Sequence, residues 1–365
     1  MSAKCQKRTS RSYSITSSER ASSVGGTTNP KETRGLNMKH WTLRRVFPAL
    51  PIVAAALAFT STAALAQNYP SQTVRIIVPQ AAGGLNDISA RLIQPHLERA
   101  LKQPVIIENK PGAAGVIGTD VVAKAAPDGQ TLLMVAGSLT VLAATNPKLP
   151  YDTERDLVPI AQLFGYPFVF VLNSGVPAKT LPEFIALTKQ NPDKYNYSTT
   201  GQASHNHLVT ERLKLLSGMR IQHLPYRGGA PAMLAVVRGE AHLLAISTTL
   251  AQPHIQSGAV RPLAIGGLAR DKQYPDLPTV AEQGFPGFEA VSWIGLFAPR
   301  DTPRPIVERL NAEVNSALRD PEVAARFAQQ GVEVEQSNPD EFRKRIGIEV
   351  RNWTEVARSA NIRAE

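Results

Sequence analysis

Three short segments combine backbone and side chains suited to holding a small anion. Pro79-Gln80-Ala81-Ala82-Gly83-Gly84-Leu85-Asn86-Asp87 opens directly onto a helical pattern, so bare amides and a helix dipole face whatever precedes the helix. Asp87 could equally serve only as the helix N-cap. Asn109-Lys110-Pro111-Gly112-Ala113-Ala114-Gly115-Val116-Ile117-Gly118 spaces its glycines Gly-x-x-Gly-x-x-Gly. That is not the dinucleotide pattern Gly-x-Gly-x-x-Gly, and no P-loop Lys-Ser/Thr follows it. Ser198-Thr199-Thr200-Gly201-Gln202-Ala203-Ser204 offers hydroxyls and amides at another helix start, followed by His205 and His207. Tyr226-Arg227-Gly228-Gly229 could add a hydroxyl or a cation, or be a solvated turn.

Catalytic and metal chemistry find less support. The single cysteine is Cys5, so beyond it there is no thiol nucleophile, thiolate metal site or iron–sulfur ligand. The Gly-x-Ser-x-Gly elbow of serine hydrolases is absent. His205 and His207, two residues apart, do not share a helical face and so cannot form an i, i+4 zinc pair. His207 reads better as a packed or hydrogen-bonding histidine than as a catalytic one. We therefore expect no catalytic residue, no metal and no cofactor.

The elements around these segments alternate. Val74 to Val78, Val105 to Ile107 and Thr131 to Val135 read as apolar strands. A helix carrying Ile88, Leu92, Leu97 and Leu101 on one stripe lies between the first two, and a second, 116 to 125, lies before the third. The pattern restarts with strands at Phe168 to Leu172, Tyr195 to Ser198, Ile221 to Leu224, Leu243 to Ile246 and Val260 to Ile265. Helices from Thr180, with capping-box spacing, to Gln190 and at about 205 to 216, 230 to 238 and 250 to 257 separate them. Trp293 to Ala298 is a further strand, followed by amphipathic helices Pro303 to Leu318, Glu322 to Gln329 and Pro339 to Ala360. Such alternation predicts an α/β protein with mostly parallel sheets flanked by helices. Terminal helices without strands of their own suggest packing on the first sheet, so that the first lobe is discontinuous. In open sheets of this kind ligands sit beyond the carboxyl ends of the strands, where the three segments fall.

The chain has 365 residues, Lys+Arg 40 against Asp+Glu 30 and a formal net charge of +10. Ten of those basic residues and only two acids lie in residues 1–66, which leaves +2 for the remainder. Residues 38–66 run Lys39, Arg44 and Arg45, an apolar stretch from Val46 to Phe59, then Ala64-Leu65-Ala66, the order of a secretory signal peptide cleaved after Ala66. The stretch is short for a membrane span and holds Pro48 and Pro51. Residues 1–37, Ser/Thr/Arg-rich and aperiodic, read as an upstream extension. With the leader gone the basic surface goes too, and 6% aromatic residues offer little for base stacking, so a nucleic-acid partner is not expected.

Taken together, Pro79 to Asp87 with Ala90-Arg91, Asn109 to Gly115, Ser198 to Leu208, Pro225-Tyr226-Arg227-Gly228, Asp276 to Glu282 and Pro286-Gly287-Phe288-Glu289 resemble the substrate-binding proteins of tripartite tricarboxylate transporters, the Bug-type receptors. The resemblance covers residues 70 to 365. It implies a two-lobed periplasmic-binding-protein (flytrap) fold, with lobe one formed by 67–167 and 291–365 and lobe two by 168–290. It implies a monomeric periplasmic receptor that captures a small organic carboxylate and delivers it to integral-membrane permease subunits. On that likeness the ligand contacts map to Gln80, Ala82, Gly83, Gly84, Asp87, Gly112, Ala113 and Gly115 from lobe one. From lobe two they map to Ser198, Thr199, Gly201, Ser204, His207, Tyr226 and Ser247. The chain departs from the family's pattern at Gln80, Ala81 and Ala82, where an aromatic and prolines are common, and at Ala203, where glycine is usual. Ser247-Thr248-Thr249, where relatives often carry an acid, points to a ligand without an amino group. The competing readings are a secreted α/β hydrolase and a sensor feeding a membrane kinase.

Overall fold

The computed structural model describes residues 69–192, 194–329 and 332–364. The leader and its expected cleavage site fall outside them. Tyr69, three residues beyond Ala66, is already buried, and its hydroxyl donates to the Gly129 carbonyl at 2.7 Å. No helix among the described residues is long and apolar enough to cross a membrane.

Two sheets organise the chain. The first holds β1 (Val74–Val78), β2 (Val105–Asn109) and β3 (Thr131–Ala136), with β1 parallel to both others. Its helices are α1 (Leu85–Leu101), α2 (Val116–Ala123) and α3 (Ser138–Thr145), and the turn Ala113–Gly115 leads into α2. The second sheet centres on β5 (Asn196–Thr199), parallel to β6 (Gln222–Pro225) and β7 (Leu243–Ser247). Around it run α4 (Leu181–Gln190), α5 (His205–Ser217), α6 (Gly229–Val237) and α7 (Thr248–Gln256). β1, β3 and β7 are largely apolar, as burial on two faces requires, whereas β5 is polar in sequence yet largely buried.

One strand serves both sheets. β4 (Leu157–Asn173) pairs antiparallel with β9 (Val291–Pro299) along residues 157–167, and with β7 and β8 (Val260–Ile265) along 168–173. β9 also pairs antiparallel with β3. Each sheet therefore has three parallel strands with antiparallel partners beside them, a more mixed arrangement than alternation alone suggests. The sequence reading caught only 168–172 of β4, because Pro159, Gly165 and Pro167 interrupt the apolar run. The strand accommodates Pro159 at a register shift between 159 and 161, where a missing amide donor is tolerated. Helix α3 was also missed, because Leu139, Val141 and Leu142 give it no clear polar face.

Of the terminal helices, α8 (Arg304–Arg319) and α9 (Pro321–Gln329) bury Leu310, Val314 and Phe327 in the core of the first sheet, against Ile76 and Met134. α10 (Pro339–Ser359) straddles: Phe342 and Ile346 pack with Trp293 and Phe297, whereas Trp353, Val356 and Ala357 join the core of Phe170 and Tyr197. Its Glu349 accepts from Trp293 Nε1 and Thr140 Oγ1 at 2.9 and 3.0 Å, tying α10 to β9 and α3.

Candidate functional site

The carboxyl ends of β1, β2, β3 and β5 face a cleft of about 820 Å³. Gln80 and Ala81 line it from the first loop, Gly112 to Val116 from the second, Ser138, Val141, Leu142 and Asn146 from α3, and Thr200 to His205 from the third. Among the described residues of that lining, which also include Ala364, His205 is the only titratable side chain, and Lys, Arg, Asp and Glu are absent from them. Three helices begin on this cleft: α2 with N-cap Gly115, α3 with Gly137 and α5 with Ser204. None of the three has a side-chain cap. Their first-turn amides consequently lack the usual internal acceptor and carry partial positive charge toward the space they share.

The two glycine-rich loops are held in register by a buried network. Asp87, 2% exposed, accepts from the Gly83 amide at 2.9 Å, from Arg91 Nε at 3.0 Å and from Asn109 Nδ2 at 3.1 Å. Asn109 Nδ2 also donates to the Gln80 carbonyl at 3.1 Å, so one side chain links both loops. Burial alone would raise the Asp87 carboxyl's pKa, but these hydrogen bonds outweigh it and hold the group below the ordinary aspartate value. Its oxygens are thus engaged inside the protein, and its part in the site is to position Gly83 and Asn109. Lys110 pairs with Glu108 at 3.5 Å and lies outside the lining.

Gly112, Ala113, Ala114 and Gly115 all have positive φ, at 134°, 46°, 55° and 100°. Four successive left-handed residues turn the chain sharply into α2, and the Gly115 amide closes the turn on the Gly112 carbonyl at 2.9 Å. Runs of left-handed backbone direct amides into a concavity of the kind that binds anions.

In the third loop, polar groups are mostly committed to one another. Asn206 Oδ1 collects the Thr200 amide, the Thr200 hydroxyl and the Ser204 hydroxyl at 3.3, 3.0 and 2.7 Å. The Ala203 amide donates to His207 Nδ1 at 3.1 Å, which fixes that nitrogen as the unprotonated one. His207 stacks on His223 with ring centres 3.8 Å apart, and His223 Nε2 lies 2.6 Å from Thr199 Oγ1. Burial drives both imidazoles down, His207 to about 3 and His223 to about 4, so both are neutral.

Of the residues expected at the site, the cleft gathers Gln80, Gly112, Ala113, Gly115, Gly201 and Ser204. Ala82 and Gly83 are exposed beside it, and Gly84 is the N-cap of α1. Ser198 is fully buried with its hydroxyl on the Ala232 carbonyl, and Thr199 is buried beneath the loop. His207 backs the loop, Tyr226 packs with the Met233 and Ile246 cluster, and Ser247 caps α7. Sequence reasoning overlooked Ser138 and Asn146. The signal was available in Gly137-Ser138 directly after the third strand, the position where such sheets bind ligands. It weighed His205 only as half of an excluded zinc pair and not as a lining residue, although His205 borders the cleft.

Residues 89–362 match the family model for the tripartite tricarboxylate transporter family receptor. Solved structures agree along nearly their whole length. MatC from Rhodopseudomonas palustris, with bound malate, is 36% identical over 79% of this chain and 99% of its own, with a TM-score of 0.67. The R. palustris protein Rpa4515, with adipate, is 30% identical over 81% of this chain and 99% of its own, with a TM-score of 0.70. The periplasmic binding protein BugD is 32% identical over 81% of this chain and all of its own, with a TM-score of 0.68. An α/β architecture with a cleft beyond its strand ends, matched by this model and these neighbours, places the chain in the tripartite tricarboxylate transporter receptor family.

Proposed function

We propose that this protein is a periplasmic solute receptor that closes two lobes on a small organic carboxylate and delivers it to integral-membrane permease subunits. The observation that carries this reading is the convergence of three uncapped helix starts on a cleft whose lining, among the described residues, holds no Lys, Arg, Asp or Glu. Such a site stabilises an anion through oriented amides without the desolvation cost of burying a cation beside it. The malate and adipate held by its relatives are anions of this class. The ligand contacts are the amides and side chains of Gln80, Gly112, Ala113, Gly115, Gly201 and Ser204. Among the described residues no acid lines the cleft to receive an ammonium, which favours an acid without an amino group. The lobes divide at 167/168 and 290/291, the positions where β4 changes partner and where β9 begins. The signal peptide is removed after Ala66, the mature protein acts as a monomer, and binding involves no catalysis.

Calorimetric titration of the mature protein with dicarboxylates, tricarboxylates, aromatic acids and the matching amino acids tests this. Binding of one or more non-amino acids is expected, and binding confined to amino acids, or absent throughout, would refute it. N-terminal sequencing of periplasmic material should begin at Gln67.

A further inference from the structure

His205 is the residue of the cleft whose chemistry is unaccounted for. It opens α5 and lines the cleft, yet is only 8% exposed. Phe168 and Trp353 meet its ring edge-on, with centres 5.1 and 5.2 Å away and planes crossing at 79° in both cases. On a further side the ring abuts Gly137, the N-cap of α3, where a Cβ would stand 3.3 Å from its Cε1. The imidazole is thereby fixed by aromatic packing and by the absence of a side chain at Gly137. Its Nε2 is buried with no hydrogen-bond partner among the described residues. A buried polar atom without a partner is costly, so its persistence in a ligand cleft calls for a ligand-side explanation. Burial, aided by the nearby positive charge of Arg345, drives the group to about 3, so at neutral pH it offers one N–H and one lone pair and no charge.

From this geometry we infer that His205 hydrogen-bonds a second oxygen-bearing group of the bound acid, making it the residue that selects ligands with an oxygen substituent beyond the captured carboxylate. The inference rests on the receptor reading above. Val141 and Leu142 from α3 supply apolar wall for the carbon skeleton between the two polar ends. With no cation in the lining among the described residues, the second group meets neutral partners: the imidazole, the Ser138 hydroxyl and the Asn146 amide.

The test compares matched acids of equal chain length: butanoate with 3-hydroxybutanoate and succinate, and hexanoate with adipate. His205→Leu should weaken binding of the doubly substituted acids by about tenfold, the loss of roughly one buried hydrogen bond, while changing the plain monocarboxylates less than about threefold. His205→Gln, whose amide reaches the ring's Nε2 position, should recover part of the preference. Equal losses across each pair, or no loss, would overturn the inference while leaving the receptor reading intact. Failure of the unmodified protein to bind any of these acids would overturn both. A measurement independent of folding by the variants is the ¹⁵N shift of the His205 ring in the unmodified protein. A ring-nitrogen shift on adding adipate but not hexanoate is expected, and identical responses to the two acids would contradict the selection.

Discussion

Ala203 sits at φ +53°, a left-handed conformation that costs an L-residue about 1–2 kcal/mol. The fold holds it there because its amide is captured by His207. Replacing Ala203 with Gly should remove that strain at the expense of about 0.4–1 kcal/mol of unfolded-chain entropy, for a net gain of roughly 0.5 kcal/mol in chemical denaturation. A loss of stability would show that the alanine methyl, not the backbone, sets the turn. The histidines behind the cleft dictate a second behaviour. His205 and His207 are held to about 3 and His223 to about 4, against roughly 6.5 in an unfolded chain. The unfolded chain therefore binds these protons more tightly, so the stability involved is complete above about pH 6.5 and is lost as pH falls toward 4. Protonating these rings in place is therefore unfavourable, most of all for His205 and His207, since His223 is only half-buried and water screens part of its cost. Glu349, whose carboxyl burial pushes upward, acts in the opposite sense, while His242, also driven down by burial, adds to the effect. A melting temperature that falls steeply between about pH 6.5 and 4 is expected, and a flat profile would contradict the assigned burial. The family likeness mapped Ser198 and His207 to ligand contacts. Which way a strand residue or a first-turn histidine faces depends on partners such as Ala232 and His223, which come from distant parts of the chain.

The spacing of Gly112, Gly115 and Gly118 looked like a single motif, yet the structure gives each glycine a different task. Gly112 and Gly115 supply left-handed backbone to the turn, whereas Gly118 has ordinary φ and is required by close packing. A Cβ on Gly118 would stand 2.7 Å from the Lys110 carbonyl oxygen and 2.9 Å from the Pro79 Cα, both backbone atoms that cannot move aside. Gly118→Ala should therefore push α2 off the two loops, destabilising the protein by about 1–3 kcal/mol and weakening ligand affinity together. Gly112→Val should abolish carboxylate binding measured by calorimetry, because φ 134° is unsuited to a β-branched residue. Lys110→Ala should change affinity little, since its ammonium pairs with Glu108 outside the cleft. The opposite ranking of Gly112 and Lys110 would point to charge rather than amides as the binding force. Gly84, by contrast, has no positive φ and only ordinary neighbours, so Gly84→Ala should be tolerated. Alternation of apolar strands with amphipathic helices was legible because each pattern has its own period. β4 beyond residue 168 was legible for the same reason, but its first half was not, since proline and glycine there are accommodated by register shifts visible only in the paired sheet.

At the scale of the whole molecule, the two cores are joined by few elements. β4 runs through both sheets, α10 lies on both cores, and the exposed Lys272–Glu333 pair at 2.8 Å adds a surface contact worth little in water. A cleft lined from both sheets and spanned by so few connections is suited to closing around a ligand by rotation at those connections, a motion that burial within each core leaves intact. An acid that contacts both the Gly112–Gly115 turn and the start of α5 binds the closed arrangement better than the open one, and the closed population rises with that difference in affinity. Two readouts follow. Small-angle scattering of the mature protein should show a radius of gyration that falls on saturation toward the value of about 19 Å for a compact chain of this size. Thermal melting at 100 times the dissociation constant should reflect about 2.7 kcal/mol of added stability, a rise of roughly 5 °C for a protein of this length. Stabilisation without compaction would mean that the acid occupies a cleft already closed, so that release has to be driven by opening rather than by loss of ligand contacts.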